Sequence, residues 1–271
     1  MTEQAPPTAG REKAEMSIRF EVDGHVAIIT LDRPEKMNAM DSEMYTAISE
    51  RMREIDARDD IWIGVVTGSG DRAFTAGADL VGMHGTAEQA QVEWSAMRAN
   101  RFDLGLEVQK PMIAAVNGYC LAGGLELALV CDIRVASDSA KFGCPEVKWN
   151  LLHGYGAQRL PEIVGLTNAM YLLLTGQFID AREALRIGLV NEVVPATQLM
   201  PRTRELAETI CANGPMAVRM TKELALRSRD LSVPDGIRLY QALNRLIELS
   251  SDLEEGTRAF AEKRAPSFRN R

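Results

Sequence analysis

The chain has few of the residues and segments from which metal sites, disulfide frameworks, membrane anchors and nucleic-acid surfaces are built. Its 271 residues include four cysteines without a CxxC pair and three histidines without an HExxH or similar cluster, which disfavours a disulfide framework and a metal site. No apolar run reaches membrane-spanning length, and the first residues lack the basic-then-apolar order of a signal peptide. The formal net charge of −7 argues against a nucleic-acid partner. These absences predict a soluble, cytoplasmic protein that binds neither nucleic acid nor membrane.

The segment 117–132, with the sequence NGYCLAGGLELALVCD, organises the rest of the chain. It follows an apolar run at 112–116 that is short enough to be a buried strand, and it opens on an Asn-Gly turn signal. Apolar residues at helical spacing begin after Gly123, so the pattern predicts a strand, a glycine-rich turn and a helix. A helix N-terminus carries unbonded N–H groups and a positive dipole, which suit a developing anion. Glu126 lies in the same first turn and would place a carboxylate beside that anion.

Two other interpretations of this segment stay open at this point. Gly118 and Gly123 have the spacing of a phosphate-binding P-loop, but Gly124 and Leu125 stand where Lys and Ser or Thr are needed. A GxGxxG dinucleotide pattern is also absent, which disfavours nucleotide binding through this turn. Glu126 taken alone is more typical of a first-turn acid that complements the helix dipole.

Hydrophobic patterning predicts an α/β fold in three parts. Residues 1–15 are polar and contain proline, which is typical of a disordered tail. Residues 16–196 alternate short apolar strands with helical patterns, and residues 197–271 are helical and charged, with breaks at 214–215 and 234–236. Asp41 is a favourable N-cap for the first helix. Strands are predicted at 18–22, 26–31, 61–67, 112–116, 132–136, 141–143 and 189–194, and later helices at 88–106, 157–164, 168–175 and 181–187.

Three blocks of sequence occur together in a recognisable order. They are AFTAGAD at 73–79, the segment 117–132, and 142–160, which contains Pro-Glu at 145–146 and Gln-Arg-Leu at its end. With these blocks, the chain resembles the crotonase superfamily of enoyl-CoA hydratases and isomerases over about residues 18–268. The resemblance implies a spiral of strand–strand–helix (ββα) turns followed by a helical C-terminal region used in trimer formation.

The resemblance also implies a reaction, the reversible hydration of a 2-trans-enoyl-CoA to the 3-hydroxyacyl-CoA, as in fatty-acid β-oxidation. Adding water to the unsaturated thioester places negative charge on its oxygen, and two backbone N–H groups, matched by Ala78 and Gly123, would hold that charge. In the family's hydratases two glutamates perform the acid–base steps, and both matching positions, Glu126 and Glu146, are Glu here. Isomerases tend to keep only the later glutamate.

Other activities of the same fold remain alternatives, namely double-bond isomerisation, thioester hydrolysis and decarboxylation. A non-catalytic acyl-CoA-binding or RNA-binding relative is a further alternative, which the acidic charge and the lack of a basic, aromatic-interleaved patch disfavour. A serine protease of related fold is disfavoured because no Ser-His-Asp set with supporting motifs is visible. Coenzyme A arrives as part of the substrate, so no metal or redox cofactor is expected.

Contacts with coenzyme A and the acyl chain are carried over from the family position by position. The segment 36–39 and Ala76 match backbone that holds the adenine end, and Phe260 and Lys263 match a segment that often closes over the ligand, sometimes from a neighbouring subunit. The full set of substrate-binding positions is Lys36, Ala39, Ala76, Asp79, Leu80, Gly154, Phe260 and Lys263.

Two positions depart from the family pattern. Val81 stands where many relatives have Lys, which removes one expected charge contact with the phosphates of coenzyme A. His153 stands where many have Pro, next to Gly154. We expect His153 either to line the acyl pocket and tune the substrate range or to be an outward-facing loop histidine.

The helical C-terminal region carries a feature of its own. Between 234 and 260, apolar residues recur at i, i+3 and i+4, which predicts an amphipathic helix whose apolar face needs a partner. With the family's habit of forming trimers or dimers of trimers, this pattern predicts a homo-oligomer. The residues of this stripe are Ile237, Tyr240, Leu243, Leu246 and Ile247.

Overall fold

The structure, a computed structural model, describes residues 17–80 and 101–271. Helices and strands alternate along most of the chain and give way to helices alone at its end, which confirms the predicted α/β class and the helical C-terminal region. The strands of these residues, β1 to β10, are Ile18–Asp23, Val26–Leu31, Ile63–Gly68, Ala73–Thr75, Met112–Val116, Tyr119–Leu121, Ile133–Ser137, Lys141–Gly143, Phe178–Asp180 and Glu192–Val194. The α-helices, α1 to α8, are Ser42–Ala57, Gly123–Val130, Tyr155–Thr175, Ala181–Arg186, Leu199–Cys211, Pro215–Arg227, Val233–Glu248 and Ser251–Glu262.

Two sheets carry the strands, one of six strands in the order β1-β2-β3-β5-β7-β10 and one of four in the order β4-β6-β8-β9. The strands β3, β5 and β7 of the large sheet are each followed in the chain by a strand of the small sheet. Neighbours β3, β5 and β7 are parallel, as are β4, β6 and β8. The chain therefore forms successive turns of two strands each. Helix α2 follows the turn made by β5 and β6, and α3 follows the turn made by β7 and β8, as the ββα prediction requires.

The first elements agree with their sequence patterns. Strands β1 and β2 pair antiparallel across the predicted Asp-Gly turn. The side chain of Asp41 accepts a hydrogen bond from the backbone N–H of Met44 and so caps α1 as predicted. Met44, Ile48 and Met52 are fully buried, because helical spacing places them on the one face of α1 that packs against the core.

Strand β5 fixes the position of the segment 117–132 that follows it. All of its residues are buried, as a parallel strand covered on both faces requires. It pairs with β3 on one side and β7 on the other, so its carboxyl end is central in the large sheet. The chain then crosses to the small sheet through β6 and enters α2, which is itself buried over Gly123 to Leu129.

Several boundaries differ from the predictions. The predicted strands at 61–67 and 189–194 begin later, at Ile63 and Glu192. The short strands β4, β6 and β9 were not predicted, because a strand of three residues seldom shows a readable period. The two helices predicted at 157–164 and 168–175 form α3, with a break in helical geometry at Gly165, whose φ is 75°.

The predicted break at 234–236 lies too late in the chain, because the helices are interrupted at 228–232, between α6 and α7. Ser232 caps α7 by accepting a hydrogen bond from the N–H of Asp235, so Pro234 lies in the first helical turn. Proline is tolerated there because its missing N–H has no intrahelical partner to lose. A break that was not predicted lies between α7 and α8, where Ser250 caps the second helix through the N–H of Leu253.

Some predictions concern residues outside those described. The disordered tail at 1–15, Val81 and most of the helix at 88–106 are among them. The end of that predicted helix is described and is wrong, since residues 102–104 form a 3₁₀ turn that ends at Gly105 with a φ of 87°. Within the described ranges, no helix is long and apolar enough to cross a membrane.

Candidate active site

The start of α2 has an unusual backbone. Ala122, which precedes the helix, has a φ of 54° and a ψ of −129°, a conformation that a residue with a Cβ adopts only at a cost. The N–H groups of Leu125 and Glu126 bond back to the carbonyl of Ala122. The N–H groups of Gly123 and Gly124 precede them in the first turn, where a helix supplies no carbonyl partner. This turn directs donors and the positive end of the helix dipole toward one point.

The segment around Ala78 runs beside this helix N-terminus. Gly77 has a φ of 94°, and a Cβ atom built on it would lie 2.7 Å from the Ala122 Cβ and 3.1 Å from the Gly123 nitrogen. The carbonyl of Gly77 accepts a hydrogen bond from Met40 N, and Asp79 N donates to the carbonyl of Met40. Because these bonds are made by the residues on either side of Ala78, its own N–H points away from Met40. The structure therefore brings together the segments that carry the two predicted oxyanion donors.

Tyr45 is a residue of this site that the sequence analysis missed. A Cβ atom on Gly123 would collide with the Tyr45 hydroxyl, so this phenol lies against the start of α2. The Tyr45 ring is stacked on Phe102, with centroids 5.1 Å apart. Burial, followed by the charges of Asp103 and Glu126, raises the pKa of Tyr45, so its hydroxyl stays protonated. No local pattern distinguishes this tyrosine from the other buried residues of α1.

Glu126 lies in the first turn of α2 and is buried, with 7% of the residue exposed. Its Oε1 accepts a hydrogen bond of 3.0 Å from the backbone N–H of Gly156, at the start of α3. Burial raises the pKa of Glu126, and the Gly156 hydrogen bond opposes this only in part. The carboxylate is thus held in place and has a greater proton affinity than a surface glutamate.

Glu146 lies on a 3₁₀ helix, Pro145–Trp149, and is held by a histidine. Its Oε1 is 2.5 Å from Nδ1 of His153, and the two side chains are 11% and 3% exposed. The alternative of an outward-facing loop histidine is therefore wrong. The prediction erred because a short segment rich in glycine looks like a surface loop, whereas residues 153–156 fold inward between the two glutamates.

The charges around His153 act in opposite directions. Burial lowers the pKa of His153, but the neighbouring Cys144 sulfur and the Glu146 carboxylate outweigh it and raise the pKa to about 10. Burial also raises the pKa of the Cys144 thiol. Glu126 lies close enough to His153 and Glu146 for the charges of both residues to change its pKa. The structure thus gathers the two predicted glutamates around one short segment, 153–156.

The residues predicted to hold the adenine end of coenzyme A also lie together. The N–H of Ala76 donates to the carbonyl of Met37 at 3.0 Å, and that of Ala39 donates to the carbonyl of Lys36 at 3.1 Å. The Lys36 ammonium lies 3.3 Å from Asp79 Oδ2, which also pairs with the guanidinium of Arg33. Asp79 thereby positions a half-exposed cation at the rim of the site.

The remaining predicted contacts divide into two groups. Gly154 lies against Glu126, because a Cβ atom on it would be 3.3 Å from Glu126 Oε1. Leu80 is exposed next to Asp79. Phe260 is 88% exposed and lines a cavity of about 350 Å³ with residues of α6, α7 and α8, and Lys263 ends α8 in a left-handed conformation. These last two residues thus belong to the C-terminal helices, and their predicted contact with the ligand stays a prediction.

For a metal ion, the described residues offer no group of three or more His, Cys, Asp or Glu side chains placed to hold it. The polar groups at the start of α2 are backbone donors and two carboxylates joined through the segment 153–156. Such a site suits a reaction in which an oxyanion develops while protons are taken up and delivered close by. The fold and this site define the class of the protein as a ββα-spiral enzyme with an acid–base pair at a helix N-terminus.

Comparison with known proteins agrees with that class. The model of the enoyl-CoA hydratase/isomerase family matches residues 21–271. The (E)-benzylidenesuccinyl-CoA hydratase of Thauera aromatica is 39% identical over 94% of this chain and 99% of its own length. A probable enoyl-CoA hydratase of Mycobacterium leprae is 42% identical over 92% of this chain and 97% of its own. The crystal structure of an enoyl-CoA hydratase from Bacillus anthracis superposes with a TM-score of 0.87 at 34% identity, covering 94% of this chain and all of that one.

The chain therefore belongs to the enoyl-CoA hydratase/isomerase family, and the predicted membership of the crotonase superfamily is confirmed.

Proposed function

We propose that this enoyl-CoA hydratase adds water across the double bond of a 2-trans-enoyl-CoA with Glu126 and Glu146 as its acid–base pair and the N–H groups of Ala78 and Gly123 as its oxyanion donors. The observation that carries the proposal is that both carboxylates are held by the same short segment. The N–H of Gly156 donates a hydrogen bond to Glu126, and Nδ1 of His153 is hydrogen-bonded to Glu146. Two acid–base groups fixed beside a helix N-terminus match what the addition needs.

In this mechanism, the attacking water lies between the carboxylates. Its oxygen bonds to the β-carbon while one of its protons passes to Glu146, and the π electrons of the substrate move toward the thioester oxygen. The N–H groups of Ala78 and Gly123 stabilise that oxygen, and Glu146 passes the water proton on to the α-carbon. Glu146 is then a carboxylate again, and one water has been added in all. Glu126 holds the attacking water by accepting a hydrogen bond from it, and its burial raises its pKa and so its strength as an acceptor.

Coenzyme A enters as part of the substrate, and the reaction changes no oxidation state that would call for a redox cofactor. We assign its adenine end to the backbone of the segment 36–39 and Ala76, with Asp79 holding Lys36 nearby. Leu80, Gly154, Phe260 and Lys263 complete the proposed contacts. Homo-oligomerisation, the cytoplasmic location and a place in β-oxidation remain predictions.

The assay that tests this function uses a panel of enoyl-CoAs of differing chain length and aromatic content, scored separately for 3-hydroxyacyl-CoA, shifted double bonds and free coenzyme A. The aromatic members are included because the Thauera relative is an (E)-benzylidenesuccinyl-CoA hydratase. Predominant double-bond shift or thioester hydrolysis by the unaltered enzyme would assign the chain to another activity of the fold.

Variants of the two glutamates test the proposed roles. We expect Glu126→Gln and Glu146→Gln each to lower kcat by at least ~10²-fold, the usual effect of losing a positioned acid or base. Coenzyme A thioesters should still bind, because the adenine and oxyanion contacts remain. Glu248→Gln, at an exposed acid on α7, is the matched control and should leave turnover unchanged. Near-normal hydration by either active-site variant would remove that residue from the mechanism.

A further inference from the structure

Two polar side chains lie beside the His153 ring, the Glu146 carboxylate and the Cys144 thiol. The ring Nδ1 is 2.5 Å from Glu146 Oε1. Its Nε2 faces Gly156, where a Cβ atom would collide with it, and this nitrogen is buried with no hydrogen-bond partner among residues 17–80 and 101–271. Burying an imidazole with one nitrogen unpaired costs free energy, so the Nδ1 contact is the interaction that this placement serves.

The two glutamates are held in the same manner. Each has its Oε1 bonded by the inward-folded segment, Glu126 by Gly156 N–H and Glu146 by His153. Oε2 of Glu146 is also buried, and it has no partner in the part of the chain that the structure describes. The carboxylate is therefore fixed through one oxygen and keeps the lone pairs of the other for a reacting group.

We propose that His153 is a positioning residue for the hydration reaction, which donates from Nδ1 to Glu146 Oε1 and so presents Glu146 Oε2 to the α-carbon of the substrate. This inference rests on the acid–base role proposed for Glu146.

The charge on His153 supports a persistent donor. The titratable groups that face the imidazole are Cys144 after β8, Glu146 on its 3₁₀ helix and Glu126 on α2. The Cys144 sulfur and the Glu146 carboxylate raise the pKa of His153, against the effect of its burial. A raised His153 pKa means that Nδ1 carries its proton throughout the neutral range.

Two substitutions separate hydrogen bonding from space filling. His153→Asn keeps an amide donor close to the position of Nδ1, whereas His153→Leu fills a similar volume without a donor. We expect His153→Leu to lower kcat by ~10- to 10²-fold at nearly unchanged KM, because a misdirected catalytic group costs about that much while substrate contacts remain. His153→Asn should recover most of the loss. Circular dichroism first establishes that both variants fold. Wild-type kcat in the leucine variant, or no recovery in the asparagine variant, would overturn the proposal.

Nuclear magnetic resonance gives a readout that does not depend on turnover. The chain has three histidines, so its imidazole spectrum is simple, and the His153 signals are assigned by their loss in His153→Asn. We expect His153 to remain protonated up to at least pH 8 in the wild type and to titrate at lower pH in Glu146→Gln, which lacks the carboxylate. A His153 titration that is the same in both proteins would contradict the pairing.

Failure of this inference is distinguishable from failure of the proposed function. If the unaltered enzyme hydrates no enoyl-CoA, the function is wrong whatever His153 does. If the enzyme hydrates and Glu146→Gln abolishes turnover while His153→Leu has no effect, the function stands and His153 is not its positioning residue.

Discussion

The N-terminus of α2 and the C-terminal helix α7 differ in where their side chains find partners. Every residue of α2 from Gly123 to Leu129 is buried, and its one carboxylate is hydrogen-bonded within the chain. Helix α7 has no buried residue, although it carries a strongly apolar stripe, of which Ile237, Tyr240 and Leu246 are about half exposed. The apolar surface of α2 is thus covered by the rest of the chain, whereas the apolar surface of α7 stays partly exposed to solvent.

This difference predicts that changes to the chemistry and changes to any assembly are separable in this protein. The groups proposed for catalysis are fixed by contacts within the spiral, mainly through the segment 153–156 and Tyr45. The apolar face of α7 and the exposed Phe260 nearby are what a second copy of the chain would cover, as the homo-oligomer prediction requires. Changes at α2 should therefore alter turnover without altering assembly, and changes at α7 should do the opposite unless the subunits complete each other's sites.

The largest expected effect comes from removing the Gly123 N–H. Gly123→Pro deletes this donor at a first helical position that tolerates proline, and such donors are worth about 10²–10³ in rate. A new Cβ would also collide with the Tyr45 hydroxyl, so the substitution is made in a Tyr45→Phe background. We expect kcat in this double variant to lie 10²–10³-fold below that of Gly123→Ala with Tyr45→Phe, which adds a Cβ but keeps the N–H.

The comparison of the two double variants isolates the donor, because both carry a Cβ and lack the tyrosine hydroxyl. Circular dichroism and light scattering should show the same fold and the same assembly for both. Equal turnover would mean that the oxyanion is stabilised elsewhere, and the role proposed for the start of α2 would be lost.

At α7 we expect a change in assembly with retention of the fold. Leu246 is 51% exposed in the single chain, so Leu246→Asp should cost little within it but place a charge in the predicted contact between subunits. A central contact position is worth about 2 kcal/mol or more, enough to shift assembly more than tenfold. Light scattering at micromolar concentration should show smaller species for this variant than for Gln241→Asp, an exposed polar position of the same helix. A wild-type protein that is already monomeric would end the homo-oligomer prediction.

The smallest expected effect concerns the strain before α2. Ala122 has a positive φ that glycine adopts without the penalty of a Cβ, and a strained residue of this kind costs of order 1–3 kcal/mol. The greater freedom of glycine in the unfolded chain offsets part of the gain. Ala122→Gly should therefore raise the free energy of unfolding by about 1 kcal/mol, measured by urea denaturation. Ala128→Gly, a helical position in the same α2, is the control and should destabilise. Destabilisation by Ala122→Gly would show that this backbone is unstrained.

The sequence by itself determined those features that depend only on residues close to one another in the chain. The cap at Asp41, the buried strand β5, the start of α2 at Gly123 and the amphipathic stripe of α7 follow from short-range spacing and local hydrogen bonding. The same sequence supplied Glu126 and Glu146 as candidates, through motifs whose order matches a family, while their roles remain to be tested.

Only the tertiary structure decided which distant residues meet those candidates. Tyr45 reaches Gly123 from α1, and Gly156 reaches Glu126 from α3, although each pair is far apart in the chain. His153 is buried against Glu146 because the segment that carries it folds inward. Such contacts arise when the ββα turns stack and bury their common surface. The strand period of two residues and the helix period of 3.6 residues cannot predict them, because both describe only neighbours within one element.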